Sequence, residues 1–344
     1  MNMDDDEYGE LTGLTPLGDP GSWRVRPVAE VANTTSLLRI DVVETTGEVR
    51  LLRKRLPAEV RGAEDLVIAE RQLDNEIRAL VRLWARYAHD YPAELPHLVG
   101  YNFDAVEPFV LMASIQAAEP DGGEQRRILM VSERRKFREG LFRALAAVHA
   151  VDLVHGAVQL GTLCWRADSF QLLGFEHSAG SREKPRSRPI TLANRALPAG
   201  PADPADDIRA AAVAYFERLE GRPPTEAELA APAELEKRLD AEMRGTFARE
   251  PAGRPTAGTV VRAMQAHAEL PDPIDVDHAL RRGWHAFDTR YPVATDEFPV
   301  LTVPPSPPEP PPVVPLNRKI PAFVAVAVGA AMLVGLAIWM VVSA

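Results

Sequence analysis

The sequence predicts a two-lobed α+β body, and two observations carry that expectation. Short apolar runs separated by turn residues occupy residues 23–56, as in antiparallel strands. From Arg134 onward the apolar residues recur instead at helical intervals of three and four. A third observation sets the end of the chain apart: no charged residue falls between Ile320 and Ala344.

Residues 1–22 are acidic and rich in Gly and Pro, so a flexible N-terminus is expected there. No apolar run follows a basic start, and no secretory signal is expected. Three strands follow around Trp23–Val25, Ser36–Ile40 and Val49–Leu52, with a turn at Thr45-Thr46-Gly47-Glu48. Residues 63–86 change to helical spacing, because Leu73, Ile77, Leu80 and Leu83 share one face. Two more strands are expected at His97–Asn102 and Pro108–Ile115. Phe137, Leu141, Leu145 and Val148 line one later helix, and Ile208, Ala211, Ala212, Tyr215, Phe216 and Leu219 a second. Val260, Val261 and Met264 belong to a third.

The remainder divides into an extension over 266–302, a proline-rich linker over 303–319 and an apolar segment over 320–343. In the extension, Trp284 and Phe287 lie three apart, on one face if helical. Eight of the thirteen residues in Val303–Pro315 are proline, which favours a stiff polyproline II spacer or a docking site for a partner domain. The apolar segment is long enough to span a bilayer core of about 30 Å as a helix. Arg318 and Lys319 precede it, which places the rest of the chain on the cytoplasmic side. The expected location is therefore the cell membrane, in a single pass. Ala327, Ala331 and Gly335 form a small-residue stripe through which two copies can pack as a homodimer. The chain has 344 residues and a net charge of -10, which argues against a nucleic-acid partner. A single cysteine, Cys164, excludes an internal disulfide and a cysteine-cluster metal site.

Six pieces, in order, resemble a bacterial, actinobacterial-like serine/threonine protein kinase over residues 23–265. Leu51–Pro57 resembles the strand that carries the nucleotide lysine, with Lys54 in that place. Asn75–Leu80 resembles the regulatory helix, with Glu76 as the glutamate that pairs with the lysine. Phe109–Met112 is similar to the strand entering the hinge, with Met112 at the gatekeeper place. Val148-His149 and Leu153–His155 resemble the approach to the catalytic loop. Asp207 through Pro224 resembles the long hydrophobic helix and the turn after it. Glu250–Pro255 resembles the closing Asp-Pro-x-x-Arg-Pro turn. The resemblance implies a bilobal protein-kinase-like fold: a β-rich N-lobe, a helical C-lobe and, here, one C-terminal transmembrane helix. It also implies that His155 holds its own loop and that Asp207 caps the long helix and braces the catalytic loop. Arg254 would pair with a glutamate that the segment near Ala196–Gly200 does not contain.

The residues that perform phosphoryl transfer in that family are replaced in this chain. No glycine falls between Ser22 and Thr46, where a loop must crowd the phosphates. The catalytic aspartate's place holds Ala157 and the lysine's holds Gln159. The two metal-ligand places hold Thr162 and Gly174. Catalytic residues and metal ligands are therefore expected to be none. Glu176 and Asp168 are the nearby carboxylates, and one carboxylate is a poor magnesium site. Lys54 and Glu76 either brace the strand and helix or contact a nucleotide. Arg53 and Arg55 also allow a solvated basic strand. No cofactor is expected beyond weak ATP contact. Gly180–Arg188 is basic and proline-broken, either a mobile loop or a surface for an acidic or phosphorylated partner.

The function implied is a catalytically inactive, membrane-anchored pseudokinase acting as an interaction, scaffold or regulatory module for a protein partner. The alternatives are a kinase with non-standard catalytic residues and a nucleotide-binding switch without turnover.

Overall fold

A computed structural model describes residues 8–264, apart from 33–35, 58–61, 119–127, 167 and 186–199. The extension, the proline-rich linker and the apolar segment over 320–343 lie outside the described residues. Six antiparallel strands come before most of the helices: β1 (Gly9–Leu14), β2 (Pro20–Val31), β3 (Arg39–Thr45), β4 (Arg50–Arg55), β5 (His97–Asn102) and β6 (Phe109–Ala113). Their order is β1-β2-β3-β4-β6-β5, and β1 returns to β5 to close a barrel. Closure is made where Leu14 stands opposite Tyr101. Asn102 Nδ2 donates to the Thr12 carbonyl at 2.8 Å beside it. Gly13 permits the approach, because a Cβ there would collide with the Tyr101 carbonyl oxygen.

The bilobal, kinase-like fold class is corrected by this topology. The sequence reading supplies five strands, which leave a sheet open, because it takes residues 1–21 as loose. Gly9–Leu14 instead forms a sixth strand and the sheet closes. The two-lobed division also gives way: one continuous hydrophobic core runs from Ile40, Val42 and Leu52 on the strands to Phe137, Leu145 and Phe216 on the helices. The transmembrane helix of that fold class has no counterpart among the described residues, where no helix is long and apolar enough to cross a membrane.

Helix α1 (Ala63–Tyr87) packs its buried stripe of Leu73, Ile77, Leu80 and Leu83 on the outer face of the barrel. The opposite face, which a closed barrel turns inward, gathers Val25, Val43, Leu51, Phe109 and Leu111 with Trp23. Helices α2 (Val131–Ala150) and α3 (Pro204–Glu220) form the centre of the helical part. Phe137 of α2 meets Trp165 and Phe170 edge-on and stacks on Tyr215 of α3. Two ribbons complete this part: β7 (Leu153–Val154) with β10 (Ala179–Gly180), and β8 (Leu163–Arg166) with β9 (Ser169–Leu172). Short helices α4 (Glu226–Ala230), α5 (Pro232–Glu236) and α6 (Ala257–Ala263) follow. Asp203, not Asp207, caps α3 by accepting from the Ala205 N–H, with Pro204 in the first helical turn. Gly221 ends α3 in the left-handed conformation, φ 70°.

Trp23 fills the barrel only because its neighbour on β5 is Gly100, where a Cβ would collide with the indole ring. Gly100→Val is therefore expected to destabilise the protein by about 1–3 kcal/mol through overpacking. Gly9→Ala, with only ordinary contact near its Cβ, serves as the control. Equal urea midpoints for the two variants would show that Trp23 does not sit against Gly100.

Candidate functional site

Strand alternation separates three neighbouring cations on β4. Arg53 and Arg55 turn to the inward face and both bond Asp41 Oδ2 of β3, at 2.8 Å and 2.6 Å. Asp41 Oδ1 accepts from Arg39 as well. Its pKa is pushed up by burial, but the hydrogen bonds and charges of Arg55 and Arg53 outweigh this and hold it low. The solvated basic strand is thereby replaced by an ion cluster. Lys54 turns the other way, under α1, and is 2% exposed.

Lys54 Nζ lies 2.7 Å from Glu76 Oε1 on α1 and 2.8 Å from Glu176 Oε1. Glu176 sits in the single 3-10 turn Phe175–His177. Ser36 Oγ donates to Glu176 Oε1 at 3.3 Å, and Asn75 Nδ2 donates to the Glu176 carbonyl at 3.0 Å. Gln72, one turn before Glu76, accepts from the Leu37 N–H at 2.9 Å. Gln72, Asn75 and Glu76 thus form a polar strip along a buried helix face. Met112 is fully buried on β6, opposite Leu52.

The neighbouring loop is organised by Asp207 of α3. Its Oδ2 accepts from the His155 N–H at 2.7 Å, and its Oδ1 from the Gly156 N–H at 2.9 Å. His149 Nε2 stands 3.0 Å from Oδ2. Burial raises the Asp207 pKa, but His149 and the loop donors prevail and keep it ionised. His155 is buried, which lowers its pKa and outweighs the pull of Asp207. Its ring is therefore neutral: Nε2 donates to the Leu173 carbonyl at 2.9 Å, and Nδ1 accepts from the Ala157 N–H at 3.3 Å.

Ala157 is buried, and Gln159 and Thr162 bound a single 3-10 turn. Thr162 Oγ1 lies 3.0 Å from the Ala157 carbonyl oxygen and accepts from the Gln159 N–H at 3.2 Å. Gly174 has φ 81°, and a Cβ there would stand 2.7 Å from Thr162 Cγ2. An acidic side chain at 174 is excluded unless Thr162 moves. Asp168 lies apart from the triad, in the β8–β9 turn, where it pairs with Lys136 at 2.7 Å on the surface. Arg254 bonds Asp206 and the carbonyls of Ala205, Ala248 and Arg249. Among the described residues no three His, Cys, Asp or Glu side chains converge where they could hold a metal ion.

Lys54, Glu76 and Glu176 are brought together; Ala157, Thr162 and Gly174 close the adjoining wall. Sequence reasoning missed the role of Glu176, read there as a loop carboxylate or a stand-in metal ligand. The polar strip of Gln72 and Asn75 beside Glu76 was the available signal that something polar is buried against α1. No protein-family model matches the chain, and no curated protein is similar to it.

Two carboxylates share one ammonium, so their proton affinities separate. Burial pushes Glu76 up to about 7, with Lys54 opposing and Glu176 adding to the rise. Burial also raises Glu176, but the charge and hydrogen bond of Lys54 prevail and hold it low. Burial lowers Lys54, and the two carboxylates more than offset it. The folded state therefore holds a proton on Glu76 that the unfolded chain releases above its ordinary value of 4.5. Stability from this group is lost as pH rises from about 4.5 through about 7. The Glu176 contribution runs the other way, fading as pH falls below the ordinary carboxylate value. Glu76→Gln should flatten the decline in Tm between about pH 5 and about pH 7.5. Parallel Tm profiles for the variant and wild type would show that Glu76 is ionised throughout.

Proposed function

We propose that this chain is a pseudokinase in the functional sense: a non-catalytic protein-binding module bearing the motif order of the serine/threonine kinase family. The observation that carries the reading is the sealed state of Lys54. It is the cation that the motif order assigns to a nucleotide, and it is buried between two carboxylates. A nucleotide would have to displace Glu176 and bring its own negative charge beside Glu76. Desolvating that arrangement again, for a polyanion, is strongly unfavourable. The replaced positions around it support the same reading, since Ala157 carries no proton-accepting group and Gly174 no metal ligand.

The full-length chain with radiolabelled ATP and Mg²⁺ or Mn²⁺ is expected to show no labelling above a Lys54→Ala control. Lys54-dependent labelling would overturn the reading. Millimolar ATP should barely raise the melting temperature, because stabilisation follows RT ln(1 + [L]/Kd). A rise of several degrees would favour the nucleotide switch.

We place the module at the inner face of the cell membrane, attached by the uncharged run over 320–343 behind Arg318 and Lys319. The full chain should stay with the pellet in alkaline carbonate, and truncation after Pro315 should release it. Val334→Arg introduces a central charge that costs about 2.5–3.5 kcal/mol on the insertion scale, so it should weaken attachment. If full and truncated chains are extracted alike, the run is no anchor.

A further inference from the structure

Lys54 and Glu176 meet from elements that are each held in place without the other. Lys54 Nζ is also bonded to Glu76 Oε1 at 2.7 Å, so α1 keeps the ammonium where it stands. The turn that carries Glu176 is fixed through its backbone. Asn75 Nδ2 donates to the Glu176 carbonyl at 3.0 Å, and the Ser178 hydroxyl donates to the Phe175 carbonyl at 2.7 Å. The Glu176 side chain therefore reaches into a place that its surroundings already shape.

Two donors converge on one oxygen in that place. Lys54 Nζ stands 2.8 Å from Glu176 Oε1, and Ser36 Oγ donates to the same oxygen at 3.3 Å. Ser36 is half-buried, and the Leu38 N–H donates to its Oγ at 3.3 Å, which orients the hydroxyl. The other oxygen, Oε2, is buried without a hydrogen-bond partner. It lies against Gly174, where a Cβ would stand only 3.1 Å away. An ammonium and a hydroxyl aimed at one acceptor, beside a glycine that leaves room for the second oxygen, form a donor set suited to a small carboxylate.

We propose that Lys54 and Ser36 form a carboxylate-binding seat and that Glu176 is its tethered ligand, which makes Glu176 the specificity-determining residue of the site. The inference rests on the non-catalytic reading and names the chemistry that the position accepts. Glu176→Ala removes one methylene and a carboxylate, which are the heavy atoms of acetate. A space of that size admits acetate and not the phosphate chain of a nucleotide. In the intact protein the charge of Glu176 helps to keep a proton on Glu76. Acetate in the vacated seat restores that charge, so its binding takes up a proton. The titratable groups around the two carboxylates are Lys54 from β4, His177 from the turn, His155 from the neighbouring loop and Tyr91 beyond α1.

The test is the melting temperature of full-length Glu176→Ala in neutral detergent, titrated with sodium acetate and, separately, with sodium chloride of equal ionic strength. Acetate at about 100 mM should raise the Tm by several degrees over chloride, because stabilisation follows RT ln(1 + [L]/Kd). Wild type and Glu176→Gln, whose seats are filled, should respond to the two salts alike. Where Glu176→Ala is recovered unfolded, its refolding yield in acetate against chloride reads the same seat. In the Glu176→Ala background, Ser36→Ala should weaken acetate binding several-fold and Lys54→Met should abolish it. Acetate should bind more tightly at about pH 6 than at about pH 8, and adding Glu76→Gln should remove that difference. The proposal is overturned if acetate does no more than chloride for both the Tm and the refolding yield of Glu176→Ala. It is also overturned if the acetate gain survives Lys54→Met, if wild type gains as much, or if the pH difference survives Glu76→Gln. Labelling by ATP that depends on Lys54 would sink the non-catalytic reading and leave the acetate outcomes as they are, so the two failures are distinguishable.

Discussion

The ion triad of Lys54, Glu76 and Glu176 is the constraint on which the arrangement depends. It ties together three elements that are remote in sequence: strand β4, helix α1 and the turn at Phe175–His177. An isolated buried charge is strongly unfavourable, so each member holds the other two in place. The second oxygens of Glu76 and Glu176 are buried without a partner. The triad is thus not an optimised stabilising contact. It acts by specifying position: α1 can sit on the barrel in only one register that leaves no charge alone.

From this triad the constraint passes into the helical part through a short chain of bonds. Glu176 is two residues past Gly174, whose left-handed backbone packs against Thr162. Leu173 accepts from the His155 ring, and His155 and Gly156 hang from Asp207 on α3. A neutral His155 suits this path, because it donates at one nitrogen and accepts at the other. The loop around Ala157 is therefore held rigid by hydrogen bonds that end on one buried carboxylate.

Much of this was legible in the sequence, and the failures have physical reasons. The strands at 97–102 and 109–113 and the helices around Leu73, Phe137 and Ile208 follow from period and turn residues alone. Strand β1 was not legible, because it carries Gly9 and Gly13 and is largely exposed, so it shows no strong alternation. Missing it left the sheet open and made two lobes look natural. Glu176 was misjudged because nothing in Gly174–His177 marks a carboxylate as buried. Only its distant partner, Lys54, makes that burial tolerable. Arg53 and Arg55 were ambiguous until Asp41 was placed opposite them by the β3–β4 register.

The distribution of satisfied and unsatisfied charge gives the last step. Around Lys54 and Asp41, cations and anions meet within the chain. At Arg254 the same holds, with four acceptors for one guanidinium. Pairing is not saturation, however: the second oxygens of Glu76 and Glu176 and the Nε of Arg53 are buried beside these pairs without a hydrogen-bond partner. One unmet hydrogen bond on a paired charge is far less unfavourable than a buried charge with no counter-ion. The pairs thus decide which elements meet, and single unmet hydrogen bonds are tolerated beside them.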